Sequence, residues 1–432
     1  MADVLSQSLR LPCGTVLSNR LAKASMTEGL ADPLNRATDR HVRLYRRWAQ
    51  GGAGLLLSGN VQVDRTHLER PGNIAIDGNG GLDALRAMAQ AGTCAGNHLW
   101  MQINHPGRQT PANINPTPLA PSAVPLATAE VGCGQPVAMT ESQITDLIRR
   151  FAHVATVARE TGFTGVQVHA AHGYLNSQFL SPLSNLRTDA WGGSLENRAR
   201  FLMETVRATR KAIGRDFPVS VKLNSADFQK SGFSDEESMQ VVRWLAEASV
   251  DLIEISGGNY EQPQMIGRGD SQLAAAESAS KPVADSTRRR EAYFLDYAAQ
   301  VRPTVAVPLM ITGGFRSRAA MVAAVESNQL DVVGLARPLC ADPELCAKLL
   351  SGETDQAPAP ERNIVLDRAS VPAEVSDTVF KIMESYGPVA WCYVQLFRLG
   401  EGEDPIFNLS ALEALSTYEA KDQAILLALK RP

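Results

Sequence analysis

Two histidines and a tyrosine follow the end of an apolar run, in the segment Val166-Gln-Val-His-Ala-Ala-His-Gly-Tyr174. His169 and His172 are three positions apart, and Tyr174 lies two positions further on. Imidazole nitrogens can hold an oxygen by hydrogen bonds, and a phenol can deliver a proton. If the run is a strand, these side chains form a candidate site for a carbonyl compound. The alternative is a pair of core histidines bonded to backbone groups.

A regular alternation of apolar runs and amphipathic stretches predicts the strands and helices that would position these side chains. Short apolar runs alternate with amphipathic helical stretches such as 143–159, 195–213, 235–248 and 318–327. The eight runs are residues 21–26, 54–57, 99–103, 165–168, 219–223, 252–255, 308–311 and 332–335. This alternation is typical of βαβ units, and eight units over roughly 330 residues predict an α/β fold, a (β/α)₈ TIM barrel with insertions. A doubly wound sheet would need a glycine-rich turn after its first strand, and no early strand has one.

Composition narrows the class of protein. The 432 residues carry a formal net charge of −4, which gives no reason to expect binding to nucleic acid or to an anionic membrane. No apolar run approaches the roughly 20 residues that span a bilayer, and the N-terminus has no secretory pattern. The six cysteines are scattered without metal-site spacing. We therefore expect reduced thiols, no bound metal and a cytoplasmic location.

The last two runs end in motifs that suit an anion. Ile311-Thr-Gly-Gly-Phe-Arg316 and Gly334-Leu-Ala-Arg-Pro338 place Gly313, Gly314 and Arg337 after strands seven and eight. Glycine lets backbone N–H groups approach an anion, and arginine can grip two phosphate oxygens. Barrels most often bind phosphate at these two loops, so the motifs predict a phosphate site. The alternative is two tight turns that bind nothing.

Two polar residues stand inside runs that should be buried. Lys222 lies within the fifth run, where a lysine needs a charged partner or a ligand. An anionic reduced cofactor would supply one, and a salt bridge to Glu254 on the next strand is the alternative. Gln102 ends the third run and could pair with the edge of a heterocycle. Taken alone, Gln102 is more often a satisfied core amide.

Four other regions of the sequence carry predictions. The insertions 104–139 and 259–290 leave the carboxyl ends of strands, where barrels build active sites, so we interpret them as binding loops. Arg187, Asp189 and Arg198 are expected to form an ion-pair lattice, and Ser194 to cap the next helix.

The barrel pattern stops near residue 352, so 1–352 is predicted as one domain and 353–432 as a linker and helical extension. The extension should bury Trp391 and Phe397 against the barrel or a second subunit of a homodimer.

Together these motifs resemble those of the Old Yellow Enzyme family, flavin-dependent ene-reductases built on a (β/α)₈ barrel. The resemblance covers residue 9 to about residue 350. Its motifs are Asn19-Arg-Leu-Ala-Lys-Ala-Ser-Met-Thr27, Met101-Gln-Ile-Asn-His-Pro-Gly-Arg108, His169-Ala-Ala-His-Gly-Tyr174 with Gln178-Phe-Leu-Ser-Pro182, the run from Arg187 to Phe201, Thr312-Gly-Gly-Phe315 and Gly334-Leu-Ala-Arg-Pro-Leu339. Each motif alone is weak, but all of them in order are specific.

The resemblance implies FMN in the barrel mouth and NADH or NADPH as the hydride donor, docked directly over the flavin. It also implies that His169 and His172 bind the oxygen of an activated alkene and that Tyr174 donates a proton. The implied cofactor contacts are Ser25, Met26, Thr27, Gly59 or Asn60, Gln102, Lys222, Gly313, Gly314, Ala336 and Arg337. The alkene itself and the choice between NADH and NADPH stay open.

This chain departs from the family pattern at several positions. Proline is common where Ser25 stands, glycine is common at Ala336, and position 27 is cysteine or threonine in different branches. Larger relatives add a four-cysteine iron–sulfur cluster after the barrel, and here only Cys340 and Cys346 lie nearby. That branch is therefore disfavoured.

Two other functions remain as alternatives at this point. A metal-dependent hydrolase on the same barrel would use His169 and His172 as ligands, with His98 and His105 as further candidates. It would also need carboxylates at the last strands, where the chain has Gly-Gly and Ala-Arg. A flavin-binding barrel that has lost turnover is the other alternative.

Overall fold

The computed structural model describes residues 3–127, 132–261 and 295–429, and its centre is a closed barrel of eight parallel strands. The strands pair in chain order, and β8 closes the barrel by pairing with β1. They are β1 Leu21–Lys23, β2 Leu55–Gln62, β3 His98–Asn104, β4 Gly165–Ala170, β5 Val219–Asn224, β6 Leu252–Ser256, β7 Leu309–Thr312 and β8 Val332–Leu335. The predicted (β/α)₈ fold is confirmed.

Both faces of the barrel strands are buried, which explains their apolar sequences. Ala22, Leu55, Trp100 and Met310 belong to a cluster inside the barrel. Their chain neighbours belong to a second, larger cluster that includes residues of the surrounding helices. Polar residues at the strand ends are therefore collected at the carboxyl end of the barrel, where the site lies.

Helices surround the barrel at the predicted places. The α-helices are Asp39–Gln50, Leu82–Gly92, Glu141–Glu160, Leu175–Leu180, Leu195–Ile213, Asp235–Glu247, Leu295–Val301, Arg318–Glu326, Pro338–Ala341, Leu345–Ser351, Asp377–Glu401 and Ala411–Leu429. Short 3₁₀ turns are Val4–Ser6, Gly107–Gln109, Arg302–Thr304, Pro360–Asn363 and Arg368–Ser370. The Ser194 side chain accepts the N–H of Asn197, so the predicted N-cap is confirmed. Among the helices that the structure describes, none is long and apolar enough to cross a membrane.

The two insertions differ in how much of them is described. The first contains the 3₁₀ turn Gly107–Gln109 and a small sheet of Leu119–Ala120 with Val137–Ala138. A second small sheet, Leu9–Arg10 with Val16–Leu17, lies before the barrel. Most of the second insertion lies outside the described residues, and its first three residues follow β6 after Gly257 and Gly258.

The predicted ion-pair lattice is correct for one pair and wrong for the third residue. Arg187 Nη2 lies 2.5 Å from Asp189 Oδ2. Arg198 instead pairs with Glu237, which begins the following helix, and donates to the backbone oxygen of Leu180. Sequence proximity suggested the lattice, but the packing of two consecutive helices brings a closer carboxylate.

The helical extension docks on the barrel through buried residues. Trp391 and Phe397 are buried within this single chain, as predicted. The guanidinium of Arg70, from the loop after β2, lies over the rings of Tyr393 and Tyr418 at 4.0 and 4.8 Å and pairs with Asp422. The extension thus contacts a loop at the barrel mouth, and the domain boundary near residue 352 stays a prediction.

Candidate active site

The turn after β4 brings the three predicted rings together. The ring of His169 lies 5.0 Å from that of His172 and 4.9 Å from that of Tyr174. His172 and Gly173 both adopt positive φ, of 62° and 75°, which folds the chain back sharply. The N–H of His172 donates to Asn224 Oδ1 at 3.1 Å, so a partner on β5 holds this uncommon backbone geometry.

His169 is set up as a neutral hydrogen-bond donor. Its Nδ1 accepts the N–H of Ala171 at 3.2 Å, so the proton of the neutral ring lies on Nε2. Burial holds the pKa of His169 well below its usual range, and the nearby charge of Lys222 lowers it further. A neutral ring can donate to a substrate oxygen without itself changing charge.

His172 is held by β6. Its Nε2 lies 2.7 Å from the hydroxyl of Ser256. Burial, followed by the charge of Lys222, also holds the pKa of His172 well below the ordinary value. Both histidines are therefore uncharged at neutral pH.

Tyr174 keeps its proton and faces a second tyrosine. Burial raises the pKa of Tyr174 well above 10, and the carboxylate of Glu69 raises it further. The Tyr174 hydroxyl lies 3.0 Å from that of Tyr260, at the start of the second insertion. A buried, protonated phenol beside two neutral imidazoles can act as a general acid.

A belt of hydrogen bonds crosses the barrel below these rings. Ser25 Oγ donates to Gln102 at 2.7 Å, and Gln102 donates to Gln167 at 2.6 Å. Gln167 donates to Glu254, whose other oxygen lies 3.0 Å from Lys222 Nζ. The alternatives considered for Gln102 and Lys222, a satisfied amide and a salt bridge, are thus the contacts observed. Each keeps further N–H groups, so the cofactor contacts predicted for them stay predictions.

The segment after β1 has partners that the sequence did not suggest. The Thr27 hydroxyl donates to Glu69 at 2.8 Å, and Asn60 donates to the same carboxylate at 2.5 Å. Met26 Sδ accepts from Cys340 Sγ at 3.7 Å. Glu69 therefore belongs to the barrel mouth although it stands in no motif, and only the partners across the barrel reveal it.

Gly59 is explained by packing. A Cβ on Gly59 would lie 2.1 Å from a carboxylate oxygen of Glu28, and its N–H donates to the other oxygen of that group at 2.8 Å. The N–H is thus already occupied, whereas the amide oxygen of Asn60 is buried without a partner among the described residues. Of the two candidates on β2, Asn60 is therefore the better one for a cofactor contact.

The ends of β7 and β8 leave room and free polar groups. Gly313 and Gly314 have φ of 115° and 84°, and a Cβ on Gly313 would meet nothing within 4 Å. Arg337 is half-buried, and its guanidinium makes no hydrogen bond or ion pair with any residue that the structure describes. The Thr312 hydroxyl is buried and likewise unpartnered within the described ranges. Ala336 precedes Arg337 and packs on the inner cluster.

These free groups fit a phosphate. A half-buried guanidinium without a partner is stabilised by an anion, and the open space before Gly313 admits one. Arg316, from the same motif, is instead paired with Glu361 of the linker. Thr312, Gly313, Gly314 and Arg337 are therefore the residues that would hold the phosphate of FMN.

Another cluster bears on the alternative of a metal-dependent hydrolase. Among the described residues, Asp64, His67 and His105 have ligand atoms within 4.8 Å of one another, and neither His169 nor His172 joins them. The N–H of Leu119 donates to His67 Nε2 at 3.0 Å, which puts the imidazole proton on Nδ1, facing Asp64. This pattern favours a hydrogen-bonded network over a metal site. His98, the further candidate ligand, begins β3 and bonds to the backbone oxygen of Val16, at the end of the barrel opposite to the site.

A closed parallel barrel with unpartnered polar groups after its last two strands and a neutral His-His-Tyr group at the end of β4 is the arrangement expected of a flavin-dependent oxidoreductase. The comparisons with known proteins agree. The sequence model of the NADH:flavin oxidoreductase / NADH oxidase family matches residues 12–356. The chain belongs to this family, so it is an oxidoreductase with FMN as cofactor and NADH or NADPH as electron donor.

Individual relatives support this assignment. The chain is 37% identical over 417 residues to the NADH-dependent flavin oxidoreductase nadA of Aspergillus parasiticus, covering 93% of this chain and 86% of that protein. It is 38% identical over 365 residues to the NADH-dependent flavin oxidoreductase iliE of Neonectria sp., covering 80% of this chain but only 47% of that protein. An Old Yellow Enzyme homologue from Zymomonas mobilis superimposes with a TM-score of 0.67 at 23% identity, over 82% of this chain and 94% of that one. This last likeness shows the fold alone.

Proposed function

We propose that this protein is an FMN-dependent ene-reductase. Its substrate is an alkene whose C=C bond is activated by a carbonyl or nitro group. FMN, when bound, supplies the hydride that it takes from NADH or NADPH. The nicotinamide and the alkene use the same barrel mouth in turn, so no separate dinucleotide domain is needed.

The two histidines bind the oxygen of the activating group. His169 presents Nε2–H, because its Nδ1 is already bonded to the backbone. His172 adds a second polar ring, held by Ser256. Negative charge grows on this oxygen as the β-carbon receives hydride, and a fixed donor at such a position contributes roughly 3–4 kcal/mol in other enzymes.

Tyr174 completes the reaction as the acid. Its hydroxyl stays protonated because burial raises its pKa. The proton passes to the α-carbon, and general acid catalysis of this kind contributes roughly 10²–10⁴-fold. The observation that carries the proposal is the joint placement of one phenol and two neutral imidazoles at one strand end.

The deciding experiment separates the two halves of the reaction. The purified flavoprotein is reduced anaerobically with NADH or NADPH, and the reduced enzyme is then mixed with enones, nitroalkenes and maleimides. We expect the 450-nm flavin absorbance, typical of oxidised flavins generally, to be lost in the first step and to return with an activated alkene. Reduction without reoxidation by any of these alkenes would indicate a flavin-binding barrel with another role.

A further inference from the structure

Tyr260 contacts the proton donor of the proposed reaction, although no sequence motif marks it. Its hydroxyl lies 3.0 Å from the Tyr174 hydroxyl, and the two rings meet edge to face at 5.9 Å. Among the residues that the structure describes, Tyr260 is the hydrogen-bond partner found for the Tyr174 hydroxyl. A role for Tyr260 must therefore act through Tyr174.

The position of Tyr260 is fixed from both sides. Its N–H donates to Gln109 Oε1 at 3.4 Å, and the same glutamine donates to the backbone oxygen of His172 at 3.0 Å. The next residue, Glu261, pairs with Arg108 at 3.0 Å and accepts the N–H of Ala127 at 2.8 Å. The hydroxyl contact is thus part of a built network that joins β3, β4 and β6.

Proton donation by Tyr174 creates a chemical problem at this place. The phenolate that forms is buried, and the carboxylate of Glu69 adds a like charge nearby. An unsatisfied buried anion is costly, so the phenolate needs a hydrogen-bond donor and a route to a new proton. Burial also raises the pKa of Tyr260, which therefore remains protonated and able to donate.

We propose that Tyr260 stabilises the phenolate of Tyr174 and returns a proton to it. As Tyr174 gives its proton to the α-carbon, the Tyr260 hydroxyl donates a hydrogen bond to the phenolate oxygen. The O–H bond of Tyr260 then breaks while a new O–H bond forms on Tyr174, and water supplies the proton that restores Tyr260. Tyr260 is thus a positioning residue, and this role rests on the proposed ene-reductase function.

The test uses the holoenzyme with the variant Tyr260→Phe, which keeps the ring and removes the hydroxyl. Stopped-flow measurements should show an unchanged rate of flavin reduction by NADH. Reoxidation by an enone should slow by roughly 10- to 150-fold, the effect of one hydrogen bond to a charged group. The solvent deuterium isotope effect on reoxidation should rise, because proton transfer becomes more rate-limiting.

A double-mutant cycle identifies the route of the effect. Tyr260→Phe should add no further loss in a Tyr174→Phe background, because the phenolate that it serves is gone. Tyr386→Phe is the matched control, since the Tyr386 hydroxyl likewise bonds to that of a second tyrosine, Tyr418, at 3.0 Å, but within the helical extension. That control should retain wild-type rates in both half-reactions.

Three outcomes would overturn the inference. One is a wild-type reoxidation rate and isotope effect in Tyr260→Phe. Another is an equal loss from Tyr260→Phe in the Tyr174→Phe background, which would indicate an effect on the substrate or the fold. The third is a wild-type enzyme whose reduced flavin is reoxidised by none of the activated alkenes. That result refutes the proposed function itself and the role of Tyr260 with it.

Discussion

The two halves of the barrel mouth differ in how far the chain's own contacts complete them. On the side of β4 to β6, His172 is bonded to Ser256 and Tyr174 to Tyr260. On the side of β7 and β8, Arg337 and the Thr312 hydroxyl have no partner among the described residues. A buried polar group left unsatisfied costs about 1–3 kcal/mol. The half with the three rings is therefore assembled by the protein's own contacts, whereas the half proposed for the cofactor would gain stability from a bound anion.

Removing the acid tests the substrate half and should have the largest effect. In Tyr174→Phe, alkene reduction should slow by roughly 10²–10⁴-fold, because the α-carbon loses its proton donor. Flavin reduction by NADH should not change, since that step transfers a hydride and needs no proton from Tyr174. Stopped-flow absorbance measures both rates, and unchanged alkene turnover would remove Tyr174 from the mechanism.

Removing the free guanidinium tests the cofactor half. Arg337→Met should weaken FMN binding by roughly 10- to 150-fold, the equivalent of one charge-assisted hydrogen bond of about 1.5–3 kcal/mol. The stability of the FMN-free protein should not fall, because the Arg337 guanidinium bonds to no described residue. Equilibrium dialysis and urea unfolding measure the two quantities.

Arg316→Met is the matched comparison for that variant. This substitution leaves the buried carboxylate of Glu361 without its ion-pair partner, so the FMN-free protein should lose about 3–5 kcal/mol of unfolding free energy. Equal destabilisation by both substitutions would contradict the difference between the two halves.

A smaller effect is expected at Ser256, which holds a histidine and contributes no group of its own to the reaction. Ser256→Ala removes the hydroxyl 2.7 Å from His172 Nε2. The affinity for phenols, which imitate the oxygen anion of the substrate, should fall by roughly 2- to 10-fold, as for an ordinary hydrogen bond. Spectral titration of the oxidised flavoprotein with a phenol measures this, and undiminished affinity would show that His172 is held by other contacts.

The smallest expected effect is that of pH on the substrate half. The pKa values of His169 and His172 are both lowered by burial, so catalysis by neutral rings should show no step in kcat/KM at the ordinary histidine pKa of about 6.5. Folding stability should behave differently. Unfolding restores ordinary pKa values, so the unfolded chain binds more protons below about pH 6.5, and stability falls as the solution is acidified.

Urea unfolding and steady-state rates between pH 5.5 and 8 would measure both dependences. The acid-induced loss of stability should be smaller in His169→Gln, which has no imidazole to protonate on unfolding. A step in kcat/KM at about pH 6.5 that disappears in this variant would instead show that His169 titrates in the folded protein.

Local patterns were sufficient where the function depends on neighbours in sequence. The alternation of apolar runs predicted all eight strands, because a parallel strand covered on both faces must be apolar. His169, His172 and Tyr174 lie on one turn, so their spacing alone brings them together. Gly313 and Gly314 after β7 follow the same local logic, because their positive φ is a backbone geometry that favours glycine.

Partners from distant parts of the chain were not predictable in this way. Arg198 was assigned to a nearby aspartate, but helix packing gives it Glu237. Glu69 enters the site through Thr27 and Asn60 although no motif contains it. Side chains from different strands and loops meet only after the barrel closes, so sequence spacing carries no information about their distance.

The sequence by itself thus determined the barrel, the turn with its three rings and the glycines after β7, because each depends on local periodicity or local backbone freedom. Only the tertiary structure decided which polar side chains have a hydrogen-bond or ion-pair partner. It pairs Lys222 with Glu254, gives the Arg337 guanidinium no partner among the described residues and brings Tyr260 to Tyr174 across 86 positions of the chain. The physical reason is that burial and hydrogen bonding depend on which elements pack together, and the closure of the barrel sets that packing.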